Sequence, residues 1–149
     1  MVEFYNSLVR KLESLPAPDI NLIARLWIAY IFWKSGRTKV DEGFLEPSET
    51  TYLLFENEYA LPLLPYDLAA HMAIYAETFL PLLLIAGFMT RVSATMLLGM
   101  TAVIQIFVYP TSWPDHLMWA VVLVFLVLRG GGAISLDRIT IEKKTVKAV

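Results

Sequence analysis

The sequence predicts an all-α fold: an integral membrane four-helix bundle with an N-terminal amphipathic interfacial helix and an outer acidic loop, or lid, between spans 1 and 2. Three observations carry this. Hydrophobic residues make up 57% of the chain, and the mean hydropathy of +0.57 lies well above globular usage. The charged residues, 17% of the total, are clumped between long apolar runs. Four of those runs approach the roughly 17–25 residues that a bilayer helix needs. At 149 residues the chain is one domain, too small to hide so much apolar surface in water.

Residues 2–15 place Phe4, Leu8, Leu12 and Leu15 at helical spacing, with Arg10 and Lys11 on other faces. This is too polar to span a membrane and reads as a helix lying at its surface. Pro16 and Pro18 end it. Span 1 is expected at about 20–36, with Arg25 inside it and an aromatic cluster of Trp27, Tyr30, Phe32 and Trp33 that reads first as interface anchoring. Residues 37–66 form the acidic segment, with Asp41, Glu42, Glu46, Glu49, Glu56 and Glu58. Its second half mixes acids with Tyr52, Leu53, Leu54 and Phe55, the pattern of a short helix lying on the membrane as a lid. Span 2 is expected at about 68–89 with His71, Glu77 and Pro81, and span 3 at about 92–109 with Gln105. Span 4, at about 113–128, is entered through Ser112, Pro114 and Asp115, all helix-start residues.

The cations orient the chain. Arg10, Lys11, Arg91, Arg129, Arg138, Lys143, Lys144 and Lys147 fall on one side of a four-span arrangement, against Lys34, Arg37 and Lys39 on the other. Both termini are then cytoplasmic, and the acidic loop faces outward. No cleavable signal peptide is visible, so the first span must direct insertion itself. The scattered cations make no nucleic-acid surface. With no cysteine in the chain, disulfides, thiol relays and thiolate metal sites are excluded.

A carboxylate in the middle of span 2 is the main anomaly, because a lone charge in hydrocarbon costs roughly 2.5–3.5 kcal/mol on insertion scales. At a rise of about 1.5 Å per residue, Arg25 lies roughly 8 Å and Glu77 roughly 16 Å from the cytoplasmic side. An Arg25–Glu77 pair between adjacent helices is expected, either fixing register or forming a site for a polar or redox-active ligand. Pro81 removes the helical partner of the Glu77 carbonyl, adding an acceptor beside the carboxylate. His71 and His116 sit near the outer ends of spans 2 and 4. They read first as interfacial polar residues and second as a metal or proton-relay pair, without a third ligand at diagnostic spacing. Gln105 reads as an interhelical hydrogen bond, Arg91 as a topology charge. In RGGGAISLD (129–137), the glycines allow a sharp reversal, and Asp137 can turn back to a cation or a helix end.

Taken together, Arg25, the stretch FWKSGRTK with Gly36 and Lys39, Glu77, IAGFMTR with Gly87 and Arg91, His116, and GGGAISLD with Asp137 resemble the DoxX-like family of four-helix inner-membrane proteins over about 22–137. That family is named for a subunit associated with thiosulfate:quinone oxidoreduction. The resemblance implies a multi-pass subunit of a redox system in a bacterial inner membrane, meeting quinone near the Arg25–Glu77 pair. It adds Lys39, Arg91, His116 and Asp137 as candidate ligand-binding residues. Lipid and a protein partner or second copy are the expected partners. A non-catalytic scaffold docking a partner through the acidic loop, and a small exporter component, are the alternatives. Against the exporter stands the lack of an inverted repeat.

Overall fold

The computed structural model describes residues 19–41, 43–59 and 61–139. The expected amphipathic helix at 2–15 and the C-terminal lysines lie outside these residues. Within them the fold is all-α, and the nearest approach to a sheet is one isolated bridge, Val40 to Pro47. The elements are α1 (Ile20–Arg37), α2 (Glu49–Leu54) running into a π-helical turn (Phe55–Tyr59), α3 (Tyr66–Ala86), α4 (Thr90–Val103) with a π-helical extension (Ile104–Val108), and α5 (Trp113–Arg129). With α4 counted through its π-helical extension, the long helices begin and end within three residues of the expected limits.

Their ends are set locally. Asp19 caps α1, its carboxylate accepting from the Asn21 and Leu22 amides. Ser48 caps α2 by accepting from the Thr51 amide at 3.2 Å. Gly87, at φ 66°, closes α3 in a Schellman turn, with the Phe88 amide on the Leu83 carbonyl and the Gly87 amide on that of Leu84. Ser112 occupies the capping position of α5 without a side-chain bond, and Pro114 stands in its first turn.

α1 packs mainly on α3, α4 on α5, and α3 touches α4 as α1 touches α5. Their shared core holds Ile28, Phe32, Leu84, Leu97, Leu123 and Leu126. Phe55 seats the α2 segment on α3 at Ala69, Ala70 and Ala73, where small side chains leave room for its ring. The outward faces are apolar too, with Val121 61% and Leu128 69% exposed beside Leu82, Ile85 and Ile106. Exposed apolar area on that scale marks a surface meant for a nonaqueous neighbour. α3 and α4 with its extension are long and apolar enough to cross a membrane.

Candidate functional site

The structure corrects the expected Arg25–Glu77 pair. Arg25 is fully buried, but its guanidinium turns to the C-terminal end of α3. Nη1 donates to the carbonyls of Leu84 at 2.8 Å and Ile85 at 3.1 Å, and Nη2 to that of Ile134. The last carbonyls of a helix have no partner within it and carry the negative end of its dipole, so a cation within reach settles there. The GGGAISLD segment completes a clasp around it. The second Asp19 oxygen accepts from the Ile134 amide at 3.0 Å, Asn21 donates to the Gly130 carbonyl, and the Asp137 carboxylate accepts from the amides of Met89 at 2.7 Å and Thr90 at 2.9 Å. Asp137 thus turns back to a helix end, as one reading of the sequence has it. Met89 stands at φ 50°, a left-handed conformation unfavourable by roughly 1–2 kcal/mol, and Asp137 is what holds it. The Ile134 amide, outweighing burial, keeps the Asp19 carboxyl below its ordinary range. Arg91 is exposed, its guanidinium lying over Gly130. Arg25, Arg91 and Asp137 therefore belong to this clasp.

Glu77 finds its cation elsewhere. Lys39, just past α1, places Nζ 2.7 Å from Glu77 Oε2. Ser35 donates to Oε1 at 3.1 Å, and Lys39 Nζ also donates to Ser35 Oγ at 2.9 Å. The loop fixes the lysine: its carbonyl accepts from the Ser48 amide at 3.0 Å and from Thr51 Oγ1 at 2.8 Å. Gly36 lets the helices close here, since a Cβ on it would stand 2.9 Å from that of Glu77. Arg37, stacked over Trp33 and Phe44, donates to Thr78 and to the Phe44 carbonyl, pinning the same loop.

Glu77, Lys39 and Ser35 open onto a cavity of about 390 Å³ between the helices, walled by Phe32, Leu80, Met96, Met100 and Ile104 and covered by Phe55 and Tyr59. Its other polar groups are Tyr59, Tyr109, His116 and the indole of Trp119. The two tyrosine hydroxyls lie 3.1 Å apart. Burial first, then the bond with Tyr109, raises the Tyr59 phenol above its ordinary value, so Tyr59 stays neutral. His116, 4% exposed, bonds through Nδ1 to Gln105 Oε1 at 2.7 Å and packs on Trp119. Gln105 is the interhelical bond that was expected, and it stands in the π-helical extension of α4, a type of irregularity frequent at functional sites. His71 is engaged separately, by the Asp67 carbonyl and the Tyr52 hydroxyl, and is not on the cavity wall. Among the described residues no three metal-ligating side chains converge.

Of the six candidates, the structure brings Glu77, Lys39 and His116 to one cavity and leaves Arg25, Arg91 and Asp137 at the far end. Ser35, Tyr59, Tyr109 and Gln105 join the site. Gln105 had a signal, as the most polar residue of its apolar run. The tyrosines had none, being ordinary interface residues by sequence.

A family model described as DoxX matches residues 20–110. A relative from Haemophilus influenzae, described as an uncharacterized protein, is 28% identical over 144 residues, covering 90% of each chain. No solved structure matches.

Proposed function

The chain belongs to the DoxX family and is membrane-associated, and from that premise we propose that it is a multi-pass subunit of a redox system in a bacterial inner membrane, binding a quinone-class ligand in the cavity at Glu77. In this reading all four long helices cross the bilayer as a bundle. The Arg25 clasp faces the cytoplasm, and α2 with its π-helical turn covers the outer end as a lid.

The observation that carries the proposal is an apolar cavity of about 390 Å³ with a buried Lys39–Glu77 pair on one part of its wall and His116 on another. Ligand sites typically combine a hydrophobic lining with a few convergent polar groups. A ring with oxygens at opposite edges and an apolar tail matches that lining. Phe32, Leu80 and Met100 would flank the ring. Glu77 and His116 would meet its oxygens as hydrogen-bond and proton acceptors at Oε and Nε2, while Phe55 and Tyr59 exclude water from above. When bound, such a ligand supplies the two-electron chemistry that a chain without cysteine or an encoded redox centre does not carry.

The test is lipid-extract mass spectrometry of the detergent-purified protein. A quinone-class molecule is expected with wild type and is expected to be lost from Glu77→Gln and His116→Phe at unchanged protein yield. Its absence from wild type purified from quinone-replete membranes would refute the proposal.

A further inference from the structure

The polar groups of the cavity divide unevenly into donors and acceptors. An ammonium has three protons, and all three of Lys39 are engaged: by Glu77 Oε2 at 2.7 Å, Ser35 Oγ at 2.9 Å and the Ser35 carbonyl at 3.3 Å. The Ser35 proton goes to Glu77 Oε1. Glu77 thus receives one bond at each oxygen and keeps lone-pair capacity at both, since an ionised carboxylate offers about four acceptor positions.

His116 adds another acceptor, for a reason that starts at Gln105. The Gln105 amide nitrogen donates to the Pro110 carbonyl at 2.8 Å. Its oxygen is therefore the atom facing His116, and an amide oxygen only accepts. The bond at 2.7 Å accordingly requires the proton on Nδ1, and in neutral imidazole that leaves a bare lone pair on Nε2. Tyr59 and Tyr109 use one hydroxyl proton on each other, which leaves a single phenolic donor. Trp119, edge-on to Phe32 and tilted against His116, brings an indole N–H. On the wall that holds the buried charge every donor is engaged, and only acceptor capacity remains.

We propose that this cavity selects the reduced, dihydroxy form of its ligand over the oxidised, dicarbonyl form, with Glu77 and His116 Nε2 as the acceptors and Gln105 as the positioning residue that fixes the His116 tautomer. This rests on the preceding reading of the cavity as a quinone-class pocket. A quinol brings two hydroxyl protons to lone pairs that otherwise stay unpaired. A quinone brings two carbonyl oxygens against a carboxylate and a bare imidazole nitrogen. A site that leaves buried polar groups unpaired rejects the poorer ligand.

The experiment uses the full chain in lipid nanodiscs at pH 8, titrated calorimetrically with a short-tailed benzoquinol under reductant and with the matching benzoquinone under air. Wild type is expected to bind the quinol about tenfold more tightly, the scale of one buried acceptor left unmet. Gln105→Leu should bring the ratio toward one, while Gln105→Glu, which still presents an acceptor to Nδ1, should retain it. A second readout needs no ligand. In ¹⁵N-histidine-labelled His71→Gln protein, the remaining imidazole should carry its proton on Nδ1, and Gln105→Leu should mix the tautomers. Equal affinities, or tighter quinone binding, overturn the selectivity and leave the pocket reading standing. Binding of neither form overturns both. A proton on Nε2 overturns the role of Gln105, whether or not Gln105→Leu folds.

Discussion

Lys39 and Glu77 stand 38 residues apart in the chain and 2.7 Å apart in the fold, their side chains 12% and 2% exposed. The lysine comes from a loop and the carboxylate from the middle of an apolar helix, so the loop must fold back before the helix can keep its charge.

Removing one partner of a buried ion pair leaves the other uncompensated. Lys39→Met should destabilise the protein by about 3–5 kcal/mol, and the double variant Lys39→Met/Glu77→Gln should recover most of that loss. Reversible unfolding in mixed micelles would measure both. A single variant as stable as wild type would show that the pair contributes nothing.

Arg25 is expected to behave as a structural residue. Arg25→Lys keeps the charge but not the fork that reaches three carbonyls, and should cost about 1.5–3 kcal/mol, the scale of a hydrogen bond to a charged group. Quinol affinity of the folded fraction, read by calorimetry, should not change. A loss of binding without a loss of stability would return Arg25 to the site.

Two glycines separate packing from propensity. Gly36→Ala puts a methyl 2.9 Å from Glu77 Cβ and 3.2 Å from its carbonyl oxygen, and overpacking of that kind costs about 1–3 kcal/mol. Gly99 has nothing within 4 Å, and Gly99→Ala inside α4 should stabilise by about 0.5–1 kcal/mol. Thermal midpoints of the two variants should move in opposite directions.

Asp19 gives a pH dependence with a defined sign. Its folded value lies below the ordinary 3.8, so the unfolded chain binds the proton more readily. The stabilisation is complete above 3.8 and is lost as pH falls below that value through the lower folded one. Asp19→Asn should be less stable by about 0.3–1 kcal/mol at neutral pH, the scale of a negative charge at a helix N-terminus, and the gap should close in the acid limb of a pH-stability curve. A gap that persists at pH 2 would mean that the carboxylate charge is not what caps α1.

The helices were legible because apolar runs punctuated by charge and proline leave few alternatives, and Glu77 was legible as a charge out of place. Its partner was not. Hydropathy carries no sign that the loop after α1 folds back through the Val40–Pro47 bridge and the bonds from Ser48 and Thr51 to the Lys39 carbonyl. Arg25 was misjudged because depth arguments weigh only charged partners, and the carbonyls ending α3 compete for a guanidinium as well as a carboxylate does. His116 was visible as a polar residue, but its protonation pattern depends on Gln105 and Pro110, whose contact arises only where α4 loosens into its π-helical extension.

The clasp around Arg25 gives the molecule a pivot. At that end the starts of α1 and α4, the end of α3 and the turn after α5 are tied by side chains reaching across more than 100 residues, as in the bonds from Asn21 to Gly130 and from Ile134 to Asp19. At the opposite end the helices are parted by a cavity and bridged by a loop. A body joined in this way is expected to yield first at the cavity end, as tweezers spread at the tips while the joined ends stay put. A ligand arriving from the side would then enter between the tips, and amide exchange should slow progressively along each helix toward the joint.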